Sequence, residues 1–246
     1  MNYNHTLEQL RALRLTGMAE AFSQQMTDAV FASLSFEQRV QMLVEAEHTQ
    51  RGNQRYQRIL KNAKLKVIAA PEDLDYRSGR GLDKAVMAEL LTGAWIGMHR
   101  SVLITGATGT GKTWAGCALG VQAARQGITV AYRRTARLLE EMAIGHEDGT
   151  IARQRNQLAK AQLLILDDFG LTALSNRGRS DLLEVLDDRV GSGATIILGQ
   201  MPVKDWHHYI NDPALADAIL DRLVHSSVKL ELKGESMRRV KGRGGQ

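Results

Sequence analysis

Cysteine occurs once in the 246 residues, at Cys117, so neither an intramolecular disulfide nor a cysteine zinc knuckle can form. No apolar run approaches the roughly 20 residues a membrane-spanning helix needs. The opening run MNYNHTLEQLRAL lacks the basic-then-apolar order of a signal peptide. The expectation is a protein of the reducing cytoplasm, with no membrane and no zinc among its partners. No self-similarity recurs at a period of 20 to 50 residues, which excludes solenoid arrays. What is present is ordinary for a globular chain: 43% hydrophobic and 24% charged residues. That allows one large domain, or a medium domain with a small companion. The net charge of +5 and a pI near 9.4 lean toward a polyanionic partner.

Residues 1 to about 68 read as helical. Leu7, Leu10, Leu13, Met18, Ala21 and Phe22 recur at spacings of three to five, close to a helical face that serves as core or as a partner groove. Ser35 and Gln38 have the form of a capping box, and a long helix should follow. Val40, Leu43, Val44 and Glu47 then share a side, so the apolar stripe runs toward Glu47. From His48 to Pro71 acidic residues are missing, while Arg51, Arg55, Arg58, Lys61, Lys64 and Lys66 fall there. On a helix the first four lie close to one stripe. Ala69 to Asp73, with Pro71, looks like a boundary between a segment 1–68 and a segment 69–246.

After residue 100 short apolar runs alternate with helical patterns. Ser101–Thr105, Ile128–Tyr132, Leu163–Leu166 and Ala194–Leu198 read as strands covered on both faces. Between them lie amphipathic stretches such as Arg179–Val190, with Leu182, Leu183, Leu186 and Val190 on one side. Strand-helix repetition predicts an α/β fold with a mostly parallel sheet flanked by helices. In Val228–Lys233 apolar and charged residues alternate, which places that strand near an edge.

Gly106-Ala107-Thr108-Gly109-Thr110-Gly111-Lys112-Thr113 matches the phosphate-loop pattern G-x-x-x-x-G-K-[ST]. An apolar strand precedes it, a helix-like segment from Trp114 to Gln126 follows, and Gly127 stands where a helix C-terminal glycine belongs. Glycines let backbone amides turn inward around phosphate oxygens, and the helix N-terminus adds partial positive charge. Lys112 then reaches the β and γ phosphates of ATP, and the Thr113 hydroxyl ligates Mg²⁺.

Leu163 to Leu166 ends abruptly in Asp167 and Asp168, at the strand tip where open α/β sheets bind ligands. Asp167 is expected to hold Mg²⁺, directly or through water. Asp168 is expected to orient or deprotonate the attacking water. Gln200, beyond the run Thr195–Leu198, either hydrogen-bonds the γ-phosphate or the water, or simply ends its strand. Asp212-Pro213 reads as an N-cap with proline at the first helical position, opening a helix to about Leu223 that buries Leu215, Ile219 and Leu223. Arg222 near its end either pairs with the terminal carbonyls or points at a neighbour's nucleotide. Periodicity does not separate the two. Adjacent His207 and His208 diverge on a helix and make a poor metal pair. Cys117 reads as a small buried apolar residue.

Together GATGTGKT, LLILDDFG, GQMPVKDW, ADAILDRLVH and GESMRR resemble the IstB family, the AAA+ helper ATPases of insertion-sequence transposition related to DnaC-type helicase loaders. The resemblance extends to LEQLRALRLTGMAEAF and LDYRSGRGLD. It implies an AAA+ phosphate-loop core, an N-terminal helical domain for assembly, partner or DNA contact, and ATP-dependent oligomers on duplex DNA. Such oligomers bend DNA and recruit and stimulate a transposase, at the bacterial nucleoid. It makes Lys112 and Thr113 the Walker A residues, Asp167 and Asp168 the Walker B residues, and Gln200 sensor I. Arg222 becomes an arginine finger acting on an adjacent subunit, and Arg238 a trailing nucleotide-sensing arginine.

Two residues depart from the wider AAA+ pattern. Asp168 stands where many members have glutamate; one methylene shorter, it implies slower hydrolysis. Trp114 follows the Walker threonine, and its ring needs a pocket of its own. Only fourteen residues follow Leu232, too few for the helical lid of many AAA+ proteins. The adenine side is therefore expected to be open, or closed by residues before the first strand or by a neighbour, with Tyr76 and Arg77 as contributors.

A basic run is most often a solvated face, but no acid balances the one from Arg51 to Lys66. Six phosphate contacts there give a salt slope of about −5 per protomer. Arg133, Arg134 and Arg137, beyond a strand, are a second candidate for DNA contact. The tail residues Arg238, Arg239, Lys241 and Arg243 are a third. The rival readings are a helicase loader, a nucleotide-locked DNA scaffold with negligible hydrolysis, and a small-molecule kinase.

Overall fold

Strands without polar alternation must be covered on both faces, and the computed structural model arranges them that way. It describes residues 3–76, 80–224, 227–234 and 236–237. By its internal contacts the chain divides into a unit ending at Arg58 and a unit beginning at Ile59.

The first unit contains α1 (Tyr3–Ala12), α2 (Thr16–Thr27) and the larger part of α3 (Phe36–Ala63). The capping box forms: the Gln38 side chain accepts from the Ser35 amide at 2.9 Å, and the Ser35 hydroxyl accepts from the Gln38 amide at 3.3 Å. The leucine periodicity from residue 7 to 22 does not make one continuous face. Arg14 takes a left-handed backbone (φ 60°) between α1 and α2, and Leu13 is left 68% exposed. The α3 stripe also differs from expectation. Val40 and Val44 are exposed, while Leu43, Ala46 and Glu47 turn inward. The reason is a polar anchor. Nothing caps α2 from its own N-cap residue Leu15, so the buried Glu47 carboxylate accepts from the amides of Gly17 (2.9 Å) and Met18 (3.2 Å). Gly17 permits this approach, because a Cβ there would lie 2.6 Å from the Ala46 carbonyl oxygen. Arg51 pairs with the other Glu47 oxygen at 2.6 Å.

The second unit holds a five-stranded sheet in the order β2-β3-β4-β1-β5. The strands are β1 (Val102–Gly106), β2 (Val130–Arg134), β3 (Leu163–Phe169), β4 (Ala194–Gly199) and β5 (Val228–Leu232). All four strand pairings within this sheet are parallel. The helices are α4 (Lys84–Leu91), α5 (Ala94–Gly97), α6 (Lys112–Arg125), α7 (Thr135–Asp148), α8 (Ile151–Ala159), α9 (Asn176–Asp187), α10 (Trp206–Ile210) and α11 (Pro213–Val224). As expected, β5 is an edge strand with Leu230 and Leu232 buried and Glu231 exposed. Its rim is not bare: the Lys233 amide donates to the Arg80 carbonyl at 2.8 Å.

The core layer between the sheet and α7, α9 and α11 contains Leu164, Leu166, Ile197, Leu182, Ile219 and Leu223. Trp206 is fully buried against Phe169, ring centroids 4.6 Å apart. Val190, counted with the apolar side of α9, lies beyond the helix end and is 64% exposed. On the other face, Gly116 and Gly120 let α6 come close to the sheet. A Cβ at either would sit within 3 Å of Leu198 or Ile165. Gly127 ends α6 in a left-handed turn, its amide donating to Ala124 and the Ile128 amide to Ala123. Asp212 caps α11 through the Leu215 amide, as the Asp-Pro pair predicted.

One buried cation had no signature in the sequence. Arg189 is 2% exposed and donates to the carbonyls of Leu158 (2.6 Å), Ala161 (2.7 Å) and Ala194 (2.6 Å), and to the Thr195 hydroxyl (3.2 Å). Burial pulls its pKa down to about 10.

Candidate active site

The loop from Gly106 to Gly111 joins β1 to α6. Gly106, Gly109 and Gly111 all have positive φ, at 145°, 86° and 96°. Side chains have no room at two of them. A Cβ at Gly106 would lie 2.2 Å from the Leu232 carbonyl oxygen, and one at Gly109 equally close to the Ser236 hydroxyl. The Thr110 hydroxyl donates to the Ala107 carbonyl at 2.8 Å and holds the bend. Gly111 is the N-cap of α6 and brings no capping side chain, so the helix presents its first amides to an anion. Lys112 is buried, and its ammonium donates to the carbonyls of Gly106 (2.7 Å) and Ala107 (2.8 Å). Burial pulls its pKa below the ordinary lysine value, against the opposing pull of Asp167 and Asp168.

The tip of β3 meets this loop. The Thr113 hydroxyl donates to Asp167 Oδ2 at 2.9 Å. Asp167 is 1% exposed, and its Oδ1 accepts the Asp168 amide at 2.8 Å. The pairing of β3 with β4 shifts register between Leu166 and Phe169, and Asp168 has φ 59°. A bulge with a left-handed residue therefore sits at the two carboxylates. Asp168 is partly exposed, with the Arg134 guanidinium 3.6 Å away. Gln200 joins the group from the tip of β4: its side-chain oxygen accepts from the Thr108 hydroxyl at 2.8 Å.

A cleft of about 570 Å³ adjoins the loop. Lys66, Leu74, Arg80, Trp114, Leu232 and Met237 line it beside Gly109 to Thr113. Residues before the first strand, among them Asp73, Leu74, Asp75 and Leu82, contribute to this lining. Tyr76 is not among the described lining residues, and Arg77 lies outside the described residues. Trp114 lines this cleft. After β5 the chain returns over the loop, where the Met237 amide donates to the Gly109 carbonyl at 2.9 Å. The candidate Arg238, with Arg239, Lys241 and Arg243, lies outside the described residues.

Arg222 is not among the residues lining the cleft of its own chain. Its guanidinium pairs with Asp187 at the end of α9 and donates to the Ala218 carbonyl at 2.8 Å. In the first unit, Arg51, Arg55 and Arg58 are exposed, Arg51 being paired with Glu47. In the second, Lys61 and Lys64 are exposed, and Lys64 has left α3 with φ 54°. Lys66 departs from the basic run altogether, its ammonium 4.0 Å from Asp167 Oδ2. In the second basic cluster, Arg133 donates to the Tyr132 carbonyl, Arg134 faces Asp168, and Arg137 pairs with Glu141. Cys117 is fully buried, and burial pushes its thiol pKa up.

Sequence reasoning missed three contributors. Arg80 donates to the Thr110 carbonyl at 2.7 Å and pairs with Asp75 at 2.9 Å, bracing the loop. Tyr132 donates to Asp167 Oδ2 at 2.6 Å, and the Thr135 hydroxyl to the Asp167 carbonyl at 3.0 Å. For Tyr132 and Thr135 the available signal was position, within β2 and just beyond its end, while Arg80 lies in the LDYRSGRGLD stretch.

A hydroxyl and a buried carboxylate meeting beside a positive-φ glycine loop suit a magnesium nucleotide better than a metal cluster. Among the described residues no three His, Cys, Asp or Glu side chains are grouped to hold a metal ion. No helix among them is long and apolar enough to cross a membrane.

Sheet, loop and carboxylate pair define a phosphate-loop nucleotide-binding core of the AAA+ class. The DnaC helicase loader shares this fold, with a TM-score of 0.57 at 17% identity over 67% of this chain and 97% of that one. The model of the family described as IstB-like ATP binding protein matches residues 8–244, and the chain belongs to that family. An insertion-sequence ATP-binding protein of Sinorhizobium fredii, y4pL, is 46% identical over 95% of this chain and 96% of its own length. The IS1162 ATP-binding protein of Pseudomonas fluorescens is 51% identical over 82% of this chain and 88% of its own.

Proposed function

We propose that this protein is an ATP-dependent DNA-binding helper ATPase of insertion-sequence transposition. It assembles as a homo-oligomer on target duplex DNA, remodels it, and recruits and stimulates the transposase of the same element. The observation that carries the ATPase half is the 2.9 Å contact between Thr113 and Asp167 beside the glycine loop. Family membership carries the transposition half.

In this reading the amides from Ala107 to Thr113 grip the triphosphate, and Lys112 exchanges its loop carbonyls for β and γ oxygens. Thr113 and Asp167 would hold Mg²⁺, which when bound would neutralise charge on the triphosphate. Asp168 orients the attacking water, and Gln200 senses the γ-phosphate. Arg222 leaves Asp187 to serve the nucleotide of an adjacent subunit, and Arg238 contributes on the trailing side. Residues 1–68 serve assembly, partner and DNA contact, with Arg51, Arg55, Arg58, Lys61 and Lys64 as phosphate ligands. Residues 69–246 form the ATPase domain, with Arg133, Arg134 and Arg137 as further DNA candidates. The protein works in the bacterial cytoplasm, at the nucleoid when bound to DNA.

Electron microscopy of the protein with ATP, Mg²⁺ and duplex DNA, together with phosphate release in the same mixture, tests this reading. Nucleotide-dependent oligomers on the duplex with DNA-stimulated release support it. Preference for single strands would favour a helicase loader, and assembly without phosphate release a nucleotide-locked scaffold. Turnover by a monomer indifferent to DNA would overturn the reading.

A further inference from the structure

The Asp167 carboxylate is held by donors from several elements. Oδ2 accepts the hydroxyls of Thr113 at 2.9 Å, from α6, and Tyr132 at 2.6 Å, from β2. Oδ1 accepts the Asp168 amide at 2.8 Å. The residue's own carbonyl takes the Thr135 hydroxyl at 3.0 Å, from the start of α7. Tyr132 is 7% exposed and Asp167 1%, so water competes little for this bond. A carboxylate has about four acceptor positions, and three are taken here. The Thr113 hydroxyl turns on a single bond, but the Tyr132 hydroxyl is fixed by the plane of a buried ring. One fixed donor restricts the carboxylate to one rotamer.

Lys66 approaches the same oxygen from outside every nucleotide motif. Its ammonium is 4.0 Å from Oδ2 with 29% of the side chain exposed, and it lines the cleft with Thr113. An ammonium at that distance partly neutralises Asp167. A divalent cation at the same carboxylate faces that charge, so each weakens the hold of the other.

We propose that Tyr132 and Lys66 set the metal affinity of this site in opposite directions. Tyr132 is a positioning residue that keeps Asp167 in its metal-binding orientation, and Lys66 is a competing cation. The inference rests on the reading of Asp167 as a metal-holding carboxylate. Neither residue belongs to a phosphate-binding motif. The chemistry requires a hydroxyl on the ring at 132 and a positive charge at 66.

The test is Mn²⁺ binding in the presence of β,γ-methylene ATP, with free Mn²⁺ counted by electron paramagnetic resonance. The full-length parent is compared with Tyr132→Phe, Lys66→Met and Asp167→Asn, and thermal unfolding verifies that each variant is folded. Tyr132→Phe keeps the ring and its packing; its Mn²⁺ dissociation constant should rise roughly tenfold, as for other outer-sphere partners of metal ligands. Lys66→Met should bind Mn²⁺ roughly threefold more tightly or better, since a like charge has been removed. Parent-like affinity in Tyr132→Phe, with Asp167→Asn weakened, overturns the positioning role and leaves the metal reading standing. Weaker or equal binding in Lys66→Met overturns the competition. Undiminished binding in Asp167→Asn overturns the metal reading itself.

Discussion

The Thr108 hydroxyl donates to the Gln200 side-chain oxygen at 2.8 Å, tying the middle of the phosphate loop to the tip of β4, 92 residues later. The bond puts Gln200 in direct contact with the loop that would hold the triphosphate. Gln200→Ala should therefore lower turnover roughly 10²-fold, in line with the loss of one donor at a developing charge. ATP affinity should stay within about threefold, because the loop amides and Lys112 are untouched. Steady-state phosphate release and equilibrium nucleotide binding measure the two. Equal losses in both would make Gln200 a structural strut of the loop.

Arg222 is paired with Asp187 and the Ala218 carbonyl, and it is not among the residues lining the cleft of its own chain. An exposed ion pair is worth about 0 to 1 kcal/mol, so a neighbouring subunit's phosphates can outcompete it. Arg222→Ala should retain ATP binding but lose DNA-stimulated hydrolysis by 10³ to 10⁵, about 4 to 7 kcal/mol of barrier. Asp187→Ala should preserve that hydrolysis. Parent-like turnover in Arg222→Ala would remove the finger role.

Salt dependence of duplex binding separates the basic run into its parts. Lys66 faces Asp167 and Arg51 is paired with Glu47, so the test falls on the exposed Arg55, Arg58, Lys61 and Lys64. Four phosphate contacts give a log–log slope of about −3.6 per protomer, against about −5 for all six. Replacing Lys61 with Gln should reduce the slope by roughly one unit per protomer. A slope unmoved by any of the four would place the DNA elsewhere.

Arg189→Met should destabilise the second unit by roughly 3 kcal/mol or more. It leaves three buried carbonyls and a hydroxyl without their donor. Arg189→Lys should not restore stability, because an ammonium cannot span the same fork of acceptors. Denaturant unfolding checks both, and a parent-like midpoint in either variant would contradict the clamp.

The first unit should be acid-sensitive through Glu47. The hydrogen bond from Arg51, with those from the Met18 and Gly17 amides, holds its carboxyl below the ordinary value of 4.5. A depressed folded-state pKa gives stability that is present above the unfolded value and lost as pH falls through the folded one. Glu47→Gln should lower thermal stability at pH 7 and flatten its fall between pH 5 and pH 3. An unchanged acid profile would mean that Glu47 caps α2 without stabilising it.

Local chemistry was legible where neighbours in sequence do the work. The capping box at Ser35, the C-terminal glycine at Gly127 and the Asp-Pro start of α11 all formed as written, because each is closed within a few residues. The phosphate loop and the carboxylate pair were legible for the same reason. Strand tips converge on one edge of a parallel sheet, so the meeting of Thr113 with Asp167 followed from the order of elements.

What depends on side chains from distant segments was not written locally. The apolar stripe of α3 was displaced because α2 needed a carboxylate at its bare N-terminus, and Glu47 supplied it from thirty residues away. Lys66 looked like one more member of a basic run until folding brought it beside Asp167. Tyr132 carried no nucleotide motif, the bracing of the loop by Arg80 is not written in the LDYRSGRGLD stretch that contains it, and the bulge at Asp167 and Asp168 arises only when β3 pairs with β4. The nucleotide-binding chemistry is thus a property of short contiguous runs, whose backbone geometry the residues themselves dictate. The charge balance around Asp167 is a property of the tertiary structure, because it depends on which distant donors and cations the packed chain leaves within a few ångströms.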